Sequence, residues 1–198
     1  MEKTKLIHNN RWVGLLADYV PLILVLLCGI RIAVGVKFLK PFVGDNAIEH
    51  YLPVADRMLE HSRFNGPESR PDSKIPPGYP LFLAAAKEIS EKHQLVLVIC
   101  SQTLADLVCA LGIYYFARRH LNSVVGALAG FLWLLFPPAL AISSWITAEA
   151  FFTCVFTLAI LLFMHGLLQA KPSTTTCSGI LLGISTLLRG TPLFYRHC

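Results

Sequence analysis

The sequence predicts an all-α, polytopic membrane protein of about five transmembrane helices, with short interfacial helices in the first outer loop. Three observations carry that reading. Of 198 residues, 55% are hydrophobic and only 15% charged, against about 25% charged in an average soluble domain. Apolar runs recur near the length of about 20 residues that crosses a hydrocarbon core. The basic residues cluster at the ends of those runs, so the net charge of +5 sets orientation rather than marking a nucleic-acid binder. The six cysteines lie mostly inside apolar runs without CxxC spacing. They read as small buried hydrophobes, which argues against a disulfide framework or a metal site.

The first span, residues 15–36, centres on YVPLILVLLCGIRIAVGV. It is too long for the apolar region of a signal peptide, and Leu27 stands where cleavage before Cys28 would need a small residue. Arg31, near its far end, is expected to snorkel toward the interface. A polar outer loop follows over 37–93. Within it Ile48, Tyr51, Leu52, Ala55, Met58 and Leu59 recur at helical spacing, which predicts a helix lying in the headgroup layer. Pro53 starts or kinks that helix. Pro67, Pro71, Pro76, Pro77 and Pro80 stiffen the rest, and Tyr79–Ile89 reads as a second short helix. The remaining spans are expected at 95–117, 124–142, 149–170 and 177–194, making 1–198 one membrane domain. Pro137 and Pro138 are tolerable in the third span because neighbouring helices can satisfy the freed carbonyls. Gly126 and Gly130 form a GxxxG pair suited to helix packing.

Short loops fix the orientation. Lys3, Lys5 and Arg11 precede span one, Arg118 and Arg119 separate spans two and three, and Lys171 separates four and five. The SSWIT link between spans three and four carries no charge. Positive-inside bias therefore places the N-terminus in the cytoplasm and the polar loop outside. Asp45, Asp72, Lys74, Glu149 and Arg189 then converge on one face of the membrane.

Asp45 suits a general base or a metal ligand first, and a helix N-cap second, two roles that can coexist. Glu149 is a second candidate acid, or a charge stabilised at a helix start. Lys74, Arg70 and Arg63 could hold a phosphate, and Arg189, inside a span, needs a partner. Asp106 lies mid-span; it is either functional or bonded to a neighbouring helix, through Gln102 one turn away. His93, His120 and His165 show no ligand spacing and read as structural or interfacial. Trp12 and Trp145 read as belt residues.

GDNAIEHYLPVADRM, KIPPGYPLFLAA, TAEAFF and GILLGISTLLRGTPL together resemble the N-terminal portion of a GT-C superfamily glycosyltransferase. Within it, the bacterial relatives of protein O-mannosyltransferases and lipid A aminoarabinose transferases are the most similar. The resemblance implies a catalytic acid at Asp45, with Tyr51 and Ala55 in the same pattern, although Asn46 replaces the usual second acid. It implies a second acidic position at Glu149, and substrate contacts from Tyr51, Lys74 (in Lys74-Ile75-Pro76-Pro77), Tyr79 and Arg189. A divalent metal ion at Asp45 and Glu149 is a further expectation. The implied reaction moves a sugar, with inversion, from a polyprenyl-phosphate donor to a lipid, glycan or protein acceptor on the non-cytoplasmic face of a bacterial plasma membrane. GT-C enzymes have more spans, so the chain reads as truncated after FYRHC, and an inactive remnant is one alternative. A transporter subunit lined by Asp106 and Arg189 is the other; it expects broken helices and an inverted repeat.

Overall fold

A computed structural model describes residues 2–37, 43–44, 47–61 and 75–189. Asp45, Asn46, Arg63, Arg70, Asp72, Lys74 and Cys198 lie outside the described residues. The architecture is all-helical: α1 (Glu2–Lys37), α2 (Leu52–His61), α3 (Gly78–Ile89), α4 (Gln94–His120), α5 (Ser123–Leu134), α6 (Pro137–Ser143), α7 (Glu149–Leu168) and α8 (Pro172–Leu188). Three stretches are long and apolar enough to cross a membrane: Asp18–Lys37, Glu91–His120 and Glu149–Leu168. The bent pair α5–α6 makes a fourth when the two helices are taken as one broken span. The expected fifth crossing corresponds to α8, which begins five residues before the expected 177 and is 17 residues long. At about 1.5 Å per residue it rises about 26 Å.

The third crossing breaks where the two prolines fall, with α5 and α6 meeting at 48°. Without N–H groups, Pro137 and Pro138 cannot bond the carbonyls of Trp133 and Leu134. The Phe136 amide donates to Trp133 O instead (3.2 Å). Arg31 Nη1 reaches across from α1 to Leu134 O (3.2 Å).

That contact corrects the expectation for Arg31. Its guanidinium does not snorkel to the interface; it donates to Asp106 Oδ2 and to Ser143 Oγ, both at 2.8 Å. A lone helix offers an arginine only the interface, whereas this bundle offers a carboxylate, a hydroxyl and a stranded carbonyl. The partner expected for Asp106 changes accordingly. Gln102 is committed elsewhere: its Nε2 donates to Ser143 O (3.1 Å) and Trp145 O (2.7 Å), and its Oε1 accepts from the Tyr79 hydroxyl (2.9 Å).

The loop helix keeps most of its expected apolar stripe. A wide π turn over Ala47–Tyr51 precedes α2. Ala55 is buried, and Tyr51, Leu52 and Met58 pack against the same buried cluster, while Ile48 and Leu59, at the two ends of the stripe, are exposed. α2 and α3 are tied by Lys87–Asp56 (2.8 Å). Hydrogen bonding to Asp56, then its charge, raises the Lys87 pKa above the usual lysine value.

The expected glycine packing holds. A Cβ on Gly126 would meet Tyr114 O at 2.8 Å, and one on Gly130 would meet Ala110 O at 3.2 Å, so both residues let α5 lie directly against α4. Cys28, Cys109 and Cys154 are buried among helices as small apolar side chains, whereas Cys177 is exposed.

Candidate active site

The site is built where α2 and α3, the helices of the long polar loop, rest on the start of α7. Ala47, Ala55, Tyr79, Leu83, Val98, Ile146 and Ala148 form one buried cluster, with Tyr51, Phe82 and Phe151 packed against it. Burial of this apolar surface, at about 25 cal/mol per Å², fixes the loop against the membrane domain. Gly78 permits the closest approach, because a Cβ there would lie 2.7 Å from Leu187 O at the end of α8. Bringing α3 this close to α8 sets the α8 terminus, and with it Arg189, beside the loop.

Glu149 is the first residue of α7, where the positive end of the helix favours a carboxylate. Arg189 follows α8 in extended conformation. Its Nη1 lies 3.4 Å from Glu149 Oε1, and its guanidinium stacks 5.8 Å over the Phe152 ring. Both side chains remain partly exposed, 42% for Arg189 and 32% for Glu149. The two oxygens of Glu149 differ. Oε1 meets the arginine, whereas Oε2 is buried and has no hydrogen-bond partner among the described residues. An unsatisfied carboxylate oxygen is costly in a low-dielectric setting and marks a place where a donor or cation would be stabilised.

Tyr51 lies beside this pair. Burial, and next the charge of Glu149, push its phenol pKa up, while Arg189 pulls the other way. The net shift keeps the hydroxyl protonated, as a donor. Tyr51 packs edge-on to Tyr79, with ring centroids 5.1 Å apart. Tyr79 is fully buried. Its hydroxyl is spent on Gln102, and burial raises its pKa far beyond the usual phenol range. In this structure Tyr79 is a post beneath the site rather than part of its open surface.

The structure therefore brings together Tyr51, Glu149 and Arg189, with Tyr79 underneath. Asp45 and Lys74 fall outside the described residues, although Ala47, two positions after Asp45, is buried in the same cluster as Ala148. Among the described residues no three metal-ligating side chains gather; the free Oε2 of Glu149 is a single candidate ligand.

A second set of residues, not anticipated as a unit, holds the site in place. The 144–148 link that presents Glu149 is anchored by Gln102 through Ser143 O and Trp145 O. Ser143 is in turn held by Arg31, which Asp106 neutralises. The sequence carried only a partial signal: a cation and an acid inside separate apolar spans are each costly alone and each call for a partner, without naming it.

Neither the curated proteins nor the solved structures contain a match to the chain. The sequence pattern of one family, described as dolichyl-phosphate-mannose-protein mannosyltransferase, matches residues 74–195. That stretch takes in the GYP turn under Tyr79, the acid opening α7 and the arginine closing α8. By this match over more than half of its length, the chain belongs to that family of membrane glycosyltransferases of the GT-C type.

Proposed function

We propose that the chain forms the loop-side active surface of an integral membrane glycosyltransferase, which moves a sugar from a polyprenyl-phosphate carrier to an acceptor hydroxyl. The family's description names mannose on dolichyl phosphate as donor and protein as acceptor, and this donor and acceptor class are the first to test. The single observation that carries the reading is the Glu149–Arg189 pair, half open, with one carboxylate oxygen left unpartnered.

In the proposed reaction the acceptor oxygen attacks the anomeric carbon from the face opposite the phosphate. Its proton passes to a carboxylate base, assigned to Asp45. The C1–O bond to phosphate breaks, its electron pair stays on the carrier phosphate, and the anomeric centre inverts. Negative charge grows on that phosphate, so fixed cations lower the barrier most when they are aimed there. Arg189 and Lys74 take this role, and the Tyr51 hydroxyl adds a hydrogen bond. As phosphate engages Arg189, Glu149 can turn to the acceptor or to a cation. A divalent ion would be held by Glu149 Oε2 together with Asp45 and would supply further charge neutralisation. The proposed setting is a bacterial plasma membrane with the N-terminus cytoplasmic and this surface outside, as the positive-inside bias indicates.

The test uses the chain reconstituted in liposomes with radiolabelled polyprenyl-phosphate mannose and a serine/threonine-rich peptide. Transfer is expected, reduced at least about a hundredfold by Asp45→Asn and by Glu149→Gln. Transfer that survives both substitutions would remove the assigned chemistry.

A further inference from the structure

The end of the bundle opposite Glu149 carries a feature that sugar transfer does not use. Between α4 and α7 lies an open cleft of about 250 Å³, lined by Gly112, Phe116, Leu158, Leu161 and Leu162, with Arg119 and His165, in the last turns of α4 and α7, lining it as well. Its walls have the chemistry of an acyl chain, and the end at those last turns is basic. Lys171 and His120 also lie within electrostatic reach of His165. His120 Nε2 and His165 Nδ1 stand 2.9 Å apart, so one imidazole donates to the other and each keeps its second nitrogen for a further partner.

The charge here is one-sided. Arg118 is already paired with Asp18 at 2.7 Å. Among the described residues, no acid pairs with Arg119 or Lys171. A cleft of lipid-chain polarity beneath unneutralised cations at a helix end is complementary to a phosphate group carried on acyl chains.

We propose that this cleft binds one anionic phospholipid, its chain along Leu158, Leu161 and Leu162 and its phosphate against Arg119, His165 and Lys171. The binding stands apart from glycosyl transfer and would persist if that assignment failed.

Native mass spectrometry of the full chain in detergent tests it, with phosphatidylglycerol and phosphatidylcholine of identical acyl chains as probes. Phosphatidylglycerol should be retained as a one-to-one adduct at least about tenfold better than phosphatidylcholine. Arg119→Gln and Lys171→Gln, both at exposed positions, should each weaken it about fivefold, the equivalent of about 1 kcal/mol per cation. Leu161→Trp, which fills the cleft and leaves its charges, should weaken both lipids together. Equal retention of the two lipids would overturn the proposal. So would loss of preference in the charge variants with no effect of Leu161→Trp, which would show surface attraction without a cleft.

Discussion

Two of this molecule's ion pairs, Arg31–Asp106 and Glu149–Arg189, differ in how completely they are satisfied. Arg31–Asp106 lies deep in the bundle, 10% and 7% exposed, with Ser143 Oγ and Leu134 O completing the guanidinium's partners. Glu149–Arg189 is longer, at 3.4 Å, several-fold more exposed, and leaves one oxygen unpartnered. A saturated pair has little to offer a ligand and serves as structure. An unsaturated pair at the loop end can exchange its partner for a substrate.

The sharpest way to break that comparison is to remove one half of the buried pair. Arg31→Ala or Asp106→Ala should cost about 3–5 kcal/mol, because each strands a buried charge; unfolding in bicelles by SDS titration reads the loss. The double variant Arg31→Leu/Asp106→Leu should recover part of it, and failure to do so would make the pair more than an electrostatic clamp. Next comes Gln102→Leu, which abandons two backbone carbonyls and the Tyr79 hydroxyl, at about 1–3 kcal/mol. Tyr79→Phe removes one of those bonds and should cost about 1 kcal/mol, in line with interhelical bonds in membranes. By contrast Arg189→Gln should shift the same unfolding curve by less than about 1 kcal/mol, since an exposed pair contributes little, while strongly reducing transfer. The smallest effect is expected at Lys87. Its pKa is raised in the folded chain, so the contribution of Lys87–Asp56 is fully present below about 10.5 and lost only above it. Stability should be flat from pH 7 to 9 in this respect and decline only in stronger alkali.

The helices around both pairs were legible because apolar runs of bilayer length leave few alternatives. The acid opening α7 and the arginine closing α8 were legible for a related reason: charges at the ends of apolar runs are conspicuous. The pairing itself was not, because nothing in a linear pattern says that residue 31 meets residue 106. For Gln102 the nearest acid in the sequence was the wrong partner, since the broken third crossing offered stranded carbonyls that a helix-by-helix reading does not contain. Most of the α2 face was legible, since Tyr51, Leu52, Ala55 and Met58 join one buried cluster, whereas no 3.6-residue periodicity encodes the π turn at Ala47–Tyr51. Tyr79 was expected among the substrate contacts, whereas its hydroxyl is bonded beneath the loop to Gln102, a partner that no local pattern names.

The double proline and the arginine opposite it form a lock with interdependent parts. If residue 138 regained an amide hydrogen, Leu134 O would find its donor within its own helix and Arg31 would lose an acceptor; if Arg31 vanished, the kink would strand that oxygen in hydrocarbon. Kin of this chain should therefore inherit the kink and the guanidinium together or lack both, a correlated signature that can be sought in any relative sharing the third crossing.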